Sequence, residues 1–108
     1  MFRILDEYLI YANEDLYCSF PSIETAPNGD LVCVFRSVSR SLMMLDLHQP
    51  SHHIPTANIL ITKSASNTKS FSKPKPIISG SQSVGLNDPG ITHHKDKFYI
   101  RACALQIV

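Results

Sequence analysis

Histidine pairs, three cysteines and a few arginines and carboxylates are the groups of this 108-residue chain with chemistry to offer. His52-His53 and His93-His94 are adjacent pairs, but neighbours on a strand point to opposite faces, so a pair rarely brings two ligands to one metal. No third ligand type stands at a helpful spacing, and neither a metal nor another cofactor is expected. Cys18, Cys33 and Cys103 are odd in number and lack ligand spacing, which excludes a complete disulfide framework. Each sits among apolar residues, where a reduced thiol behaves as a small hydrophobe. Arg36 closes an apolar run, and its guanidinium fork matches a carboxylate, although a strand-end arginine also makes ordinary surface contacts. Asp88 can line a binding site, while an aspartate before proline also fixes a turn through its own backbone. Tyr8, Tyr11, Tyr17 and Tyr99 can stack on sugar faces or fill a core. No phosphate-cradling glycine loop, serine nucleophile elbow or helix-borne metal motif is present.

The elements that must position these groups are short strands. Pro27-Asn28-Gly29-Asp30 supplies a fixed φ and then residues that tolerate positive φ, as a hairpin turn between twisted strands requires. Beyond it, Leu31-Val32-Cys33-Val34-Phe35 is apolar, partly β-branched and too short for a helix, which predicts a central strand ending on Arg36. Further strands are predicted at Tyr8-Leu9-Ile10-Tyr11, from Ser19 to Thr25, and at Asn58-Ile59-Leu60-Ile61-Thr62-Lys63-Ser64. Pro74-Lys75-Pro76-Ile77-Ile78 suits an edge or a connection. After a Gly/Ser linker from Ser79 to Gly85, Ile91-Thr92 and Phe98-Tyr99-Ile100-Arg101-Ala102 read as a hairpin about a polar turn. Residues 37–57, with Leu42-Met43-Met44-Leu45 at their centre, read as a long site loop, since a structureless stretch of that length is uncommon without a role.

A hydrophobic content of 44%, a charged content of 18% and a net charge of +1 exclude disorder and leave no electrostatic footprint for nucleic acid. The basic cluster Lys63, Lys69, Lys73 and Lys75 lacks interleaved aromatics and reads as a solvated loop. No apolar run approaches the roughly 20 residues that span a bilayer, and acids follow Met1-Phe2-Arg3-Ile4-Leu5 before any signal-like core. A cytoplasmic location without membrane contact is therefore expected. The run Ala102-Cys103-Ala104-Leu105-Gln106-Ile107-Val108 has no turn or polar cap and reads as a strand cut from a larger sheet, so self-association through exposed strand edges or a longer parent chain is expected.

Short antiparallel strands with turns between them suggest a sandwich, barrel or propeller, and motifs choose among these. Ser64-Ala65-Ser66-Asn67-Thr68-Lys69-Ser70-Phe71 resembles the Asp-box of sialidases, S-x-D-x-G-x-S/T-W/F, with Ser66 in place of the aspartate and Thr68 in place of the glycine. The flanking segments resemble sialidase-like BNR-repeat proteins in the expected succession. Phe20-Pro21-Ser22-Ile23 with Asn28-Gly29-Asp30-Leu31 resembles their opening strand and hairpin. Ser51-His52-His53-Ile54-Pro55-Thr56 resembles the loop before the Asp-box strand, and Asn87-Asp88-Pro89-Gly90-Ile91 resembles the motif that opens the next blade.

This resemblance implies an all-β fold of antiparallel sheets, corresponding to about the first two blades of a six-bladed propeller. Residues 1–80 would form the first blade with its Asp-box-like turn, and residues 81–108 would start the next. It implies a carbohydrate partner and exo-glycosidic cleavage of a terminal sialic acid as the family reaction. The family's first carboxylate-binding arginine aligns with Ser19 and its loop acid/base aspartate with Ile54, and neither residue can perform those roles. Catalysis by this chain is therefore not expected unless the alignment shifts and Asp46 is the loop carboxylate. Arg36, His52, His53 and Asp88 are the expected sugar-binding residues. Two alternatives stand beside this reading: a noncatalytic glycan-binding or protein-interaction module, and a five-bladed propeller glycosidase acting on arabinosides, xylosides or mannosides, which Asp88-Pro89 with Lys97-Phe98-Tyr99 also resembles.

Overall fold

A computed structural model describes residues 3–41, 56–65 and 68–106, and all regular elements of any length within them are antiparallel strands. Six strands run in order: β1 (Leu16–Thr25), β2 (Leu31–Ser39), β3 (Asn58–Lys63), β4 (Lys75–Ser79), β5 (Val84–His94) and β6 (Lys97–Gln106). The first four form one sheet in sequential order, and β5 and β6 form a second, two-stranded sheet. The all-β class expected from the sequence is what the chain adopts. No helix among the described residues is long and apolar enough to cross a membrane.

The turn chemistry works as the residues dictate. Gly29 takes a φ of 91°, the Ala26 amide donates to Asp30 and the Gly29 amide donates back to Ala26. Asn28 Oδ1 accepts the Asp30 amide at 3.0 Å. The resulting hairpin pairs Thr25 with Leu31 and continues to Leu16 with Ser39. The second hairpin turns through Lys95 and Asp96, both at positive φ, as a two-residue turn between twisted strands requires.

Both faces of the four-stranded sheet are covered. On one, Val32, Val34 and Ile59 pack against Leu86 and Ile91, flanked by Phe98 and Ile100 of the second sheet. On the other, Cys33, Phe35 and Leu60 lie beneath Ile10, Tyr11 and Phe71. Alternation sends successive residues of β2 to opposite faces, and because both faces are covered the whole strand from Val32 to Val38 is buried.

Several boundaries differ from the sequence reading. Tyr8-Leu9-Ile10-Tyr11 is not a strand: no neighbour among the described residues pairs with its backbone, and it lies as a strap whose Tyr11 ring sits 5.9 Å from that of Phe35 and whose Tyr8 ring sits 6.3 Å from that of Phe71. β2 does not stop at Arg36 but continues to Ser39, because β1 offers partners as far as Leu16. His93 and His94 complete β5 rather than forming a turn. Cys33 is buried and Cys18 half-buried, but Cys103 is exposed on the outward side of β6, so the apolar neighbours in its sequence do not bury it. The site loop expected around Leu42 to Leu45 lies outside the described residues, as do Asp46, His52, His53 and Ile54.

Candidate functional site at two paired bulges

β1 and β5 carry the same irregularity. The β1–β2 register shifts between Ser19 and Ser22, and the β5–β6 register shifts between Asn87 and Gly90. In each bulge the residue before a proline has positive φ: Phe20 at 54° ahead of Pro21, and Asp88 at 48° ahead of Pro89. A residue before proline ordinarily takes the extended region, and positive φ is strained for any side chain with a Cβ. Strain of this kind persists only where its surroundings over-determine it, and it concentrates at binding and catalytic positions.

The two bulges are clamped side by side. The Ile91 amide, just past the second bulge, donates to Ser22 Oγ, just past the first, at 3.2 Å. Further along, the His93 amide donates to Glu24 Oε2 at 3.4 Å. Within the second bulge, buried Asn87 turns its Oδ1 to the Asp88 amide at 3.0 Å, satisfying a donor that the broken ladder leaves over. Asp88 therefore does not form the turn expected of an aspartate before proline; it sits exposed in a strand whose backbone is held by its neighbour.

Beneath the junction lies Arg36. It pairs in register with Ser19 on one side and Ile59 on the other, and its Nε donates to the Leu86 carbonyl at 2.9 Å. With 1% of its surface exposed, it is neither a strand-end arginine nor a surface contact. Burial lowers its pKa from the usual guanidinium value, and the nearby Tyr17 and Asp88 pull it back up. Opposite it, Ser19 Oγ is buried and has no hydrogen-bond partner among the described residues. The site thus places a buried cation near an exposed carboxylate and near Tyr17, which is 42% exposed, while the exposed Arg101 guanidinium lies against Gly90 of the second bulge.

Of the residues expected to bind sugar, the structure brings Arg36 and Asp88 to one place and puts Ser19 directly across from Arg36. It buries the Arg36 guanidinium and leaves Asp88 exposed. Sequence reasoning singled out Tyr17 by type but missed the strained bulge at Phe20. A signal for the paired bulges existed: Ser19-Phe20-Pro21-Ser22-Ile23 and Asn87-Asp88-Pro89-Gly90-Ile91 share a polar-x-Pro-small-Ile pattern in the first strand of each sheet. No group of three or more metal-ligating side chains converges among the described residues.

Among the described residues, one concavity borders the first bulge through Ser19 and Pro21 and another lies farther off. A cleft of about 290 Å³ separates the strap from the outer face of the sheet, lined by Tyr8, Tyr11, Cys18, Pro21 and Phe35. Burial raises the pKa of its Cys33 thiol and, against a smaller opposing effect of Arg40, that of Cys18, which disfavours the thiolate. A second, of about 320 Å³, runs past Tyr8 to Lys69, Thr68 and Ser64. No family model, curated protein or solved structure matches the chain.

Proposed function

We propose that the chain is a sialidase-like β-propeller unit that binds glycans without hydrolysing them. Residues 1–80 correspond to one blade and residues 81–108 to the opening hairpin of the next. One observation carries this reading: a four-stranded sequential antiparallel sheet, the unit from which propeller blades are built, is followed by a hairpin that packs across its face and repeats its bulged first strand. The Asp-box-like stretch supports it. That stretch joins β3 to β4; Ser64 Oγ accepts the Leu31 amide at 3.3 Å, Thr68 Oγ1 donates to the Ala65 carbonyl at 3.0 Å, and Phe71 packs against the apolar face. These are the backbone-tying and packing roles that such a turn needs.

The family reaction would be exo-glycosidic release of a terminal sialic acid, which requires an exposed arginine for the sugar carboxylate and a poised acid. Here the arginine position holds Ser19 and the loop acid position holds Ile54. The arginine that lies nearby is buried between the sheets. Binding is what remains for such a site to do. The test pairs a fluorogenic sialoside with affinity electrophoresis through gels containing polysaccharides. Retarded migration without hydrolysis above buffer is expected. Turnover would overturn the noncatalytic reading, and unchanged mobility in every glycan gel would overturn glycan binding.

A further inference from the structure

Among the described residues, β6 is the long strand edge that the fold leaves open. The outer strand of the four-stranded sheet, β4, carries Pro76, and β1 is tied to β5 through Ser22 and Glu24. By contrast β6 runs for ten residues, pairs only with β5, and has neither a proline nor the bulge, which lies on β5. An open edge of this kind is a template for a further strand. Its phase follows from the hairpin: His94 and Lys97 close a two-residue turn, so the antiparallel pattern aims the amides of Lys97, Tyr99 and Arg101 at β5 and those of Phe98, Ile100 and Ala102 outward. Side chains alternate in step. Phe98, Ile100 and Ala102 pack against the core yet stay only half-buried, while Lys97, Tyr99, Arg101 and Cys103 are exposed on the outer face. A strand added beside β6 would therefore satisfy its backbone and cover the remaining apolar surface of the inner row.

The residues of β6 are complementary to themselves in one register. Set antiparallel with Ile100 opposite Ile100 of a second copy, the strand places Phe98 against Ala102 and Ala102 against Phe98 on the inner face, a large side chain against a small one each time. On the outer face Tyr99 then stands opposite Arg101 and Lys97 opposite Cys103, so no cation opposes a cation. A pairing centred on Arg101 would set Arg101 against Arg101, and like charges directly opposite are destabilising. One centred on Ala102 would set Phe98 against Gln106, an apolar position against a polar one. We propose that β6 is the interface of a symmetric dimer, in which two copies pair about Ile100 into a continuous sheet of order β5–β6–β6–β5. Such a contact uses the same patch on both copies and closes at two. It goes beyond the glycan-binding reading and stands independently of it.

The experiment is size-exclusion chromatography with light scattering on the whole chain over a range of concentrations. A mass of twice the monomer, falling to the monomer on dilution, is expected. Ala102→Pro removes an outward amide at an edge position where proline is tolerated, and should give a monomer whose amide spectrum keeps the β1–β2 sheet. Tyr99→Lys, at an exposed position, sets a lysine opposite Arg101 of the second copy at two symmetric places and should weaken association about tenfold. The register has its own readout. Lys97 and Cys103 of the second copy form a pair without mutual hydrogen bonds, about 4.5 Å between Cα atoms, which a disulfide can span. Oxidised Lys97→Cys should therefore link position 97 to Cys103 of the other copy, mapped by peptide digestion, and the parent should not link Cys103 to Cys103. A monomer at every concentration would overturn the proposal, as would a species larger than a dimer, or a dimer that survives both Ala102→Pro and Tyr99→Lys undiminished. A parent chain that oxidises through Cys103 to Cys103 would overturn the pairing about Ile100.

Discussion

Arg36 donates through Nε to the Leu86 carbonyl at 2.9 Å, so the most deeply buried cation of the chain is also a clasp between its two sheets. Ile59 stands across from it in register and the Leu86 carbonyl accepts from it, so its long stem packs among apolar neighbours. Truncation by Arg36→Ala removes both the clasp and the packing of the long aliphatic stem, and should cost about 3 kcal/mol. Arg36→Met refills the space without burying a charge, and exchanges of that kind are frequently close to neutral, so a loss within about 1 kcal/mol is expected. Urea midpoints of the two variants check this. Equal losses would mean that hydrogen bonding rather than volume holds the sheets together.

Ser22 has a separate task, because its hydroxyl is the acceptor for the amide that follows the second bulge. Ser22→Ala should destabilise the chain by about 1 to 2 kcal/mol, the cost of leaving a half-buried amide without its partner. Hydrogen exchange offers the sharper readout. Protection of the Ile91 amide should fall by more than that of Ile59, which lies inside the four-stranded sheet and keeps its ladder.

The sequence made the strands legible wherever local chemistry decides them. Asn28-Gly29 announces a turn, the apolar run after it announces an interior strand, and Pro74 and Pro76 announce an edge. The Tyr8 to Tyr11 segment has strand composition yet forms a strap, because a strand is completed by a neighbour's backbone and composition reports only burial. The site was half legible. Arg36 and Asp88 stood out by type, but the burial of one and the exposure of the other depend on how β5 crosses the face of β2, a long-range relation that no local pattern encodes. The strain at Phe20 and Asp88 was hidden for the opposite reason: residues before proline are expected to be extended, and only the clamp between β1 and β5 holds these two elsewhere.

Two glycines should respond oppositely to alanine. A Cβ on Gly80 would stand 2.4 Å from the Ala57 carbonyl oxygen and 3.0 Å from that of Val84, both backbone atoms fixed where β4 hands over to β5. Gly80→Ala should cost about 2 to 3 kcal/mol and disturb the Gly80 amide bond to Ala57. The atoms nearest a Cβ on Gly90 would be those of the Arg101 guanidinium, from 2.8 Å, the far end of an exposed and flexible side chain. Gly90→Ala should therefore stay within about 0.5 kcal/mol of the parent. Thermal melts of the two variants side by side make the comparison.

Cys33 gives the stability a dependence on alkaline pH whose sign follows from its surroundings. Its thiol is 2% exposed, and burial raises its pKa above the ordinary value. Below an unfolded-state pKa of about 8.5 both states hold the proton, and the contribution of the buried thiol is fully present. Above it the unfolded chain ionises while the folded chain resists. Stability then falls by up to about 1.4 kcal/mol per pH unit until the raised folded-state pKa is passed. Half-buried Cys18 acts in the same direction, since burial there outweighs the opposing charge of Arg40. Urea unfolding between about pH 7.5 and 10 should show the decline, and Cys33→Ala should flatten it relative to the parent. An identical slope in both chains would show that other groups carry the dependence, and exposed Cys103, which should alkylate first, supplies the internal control for thiol access.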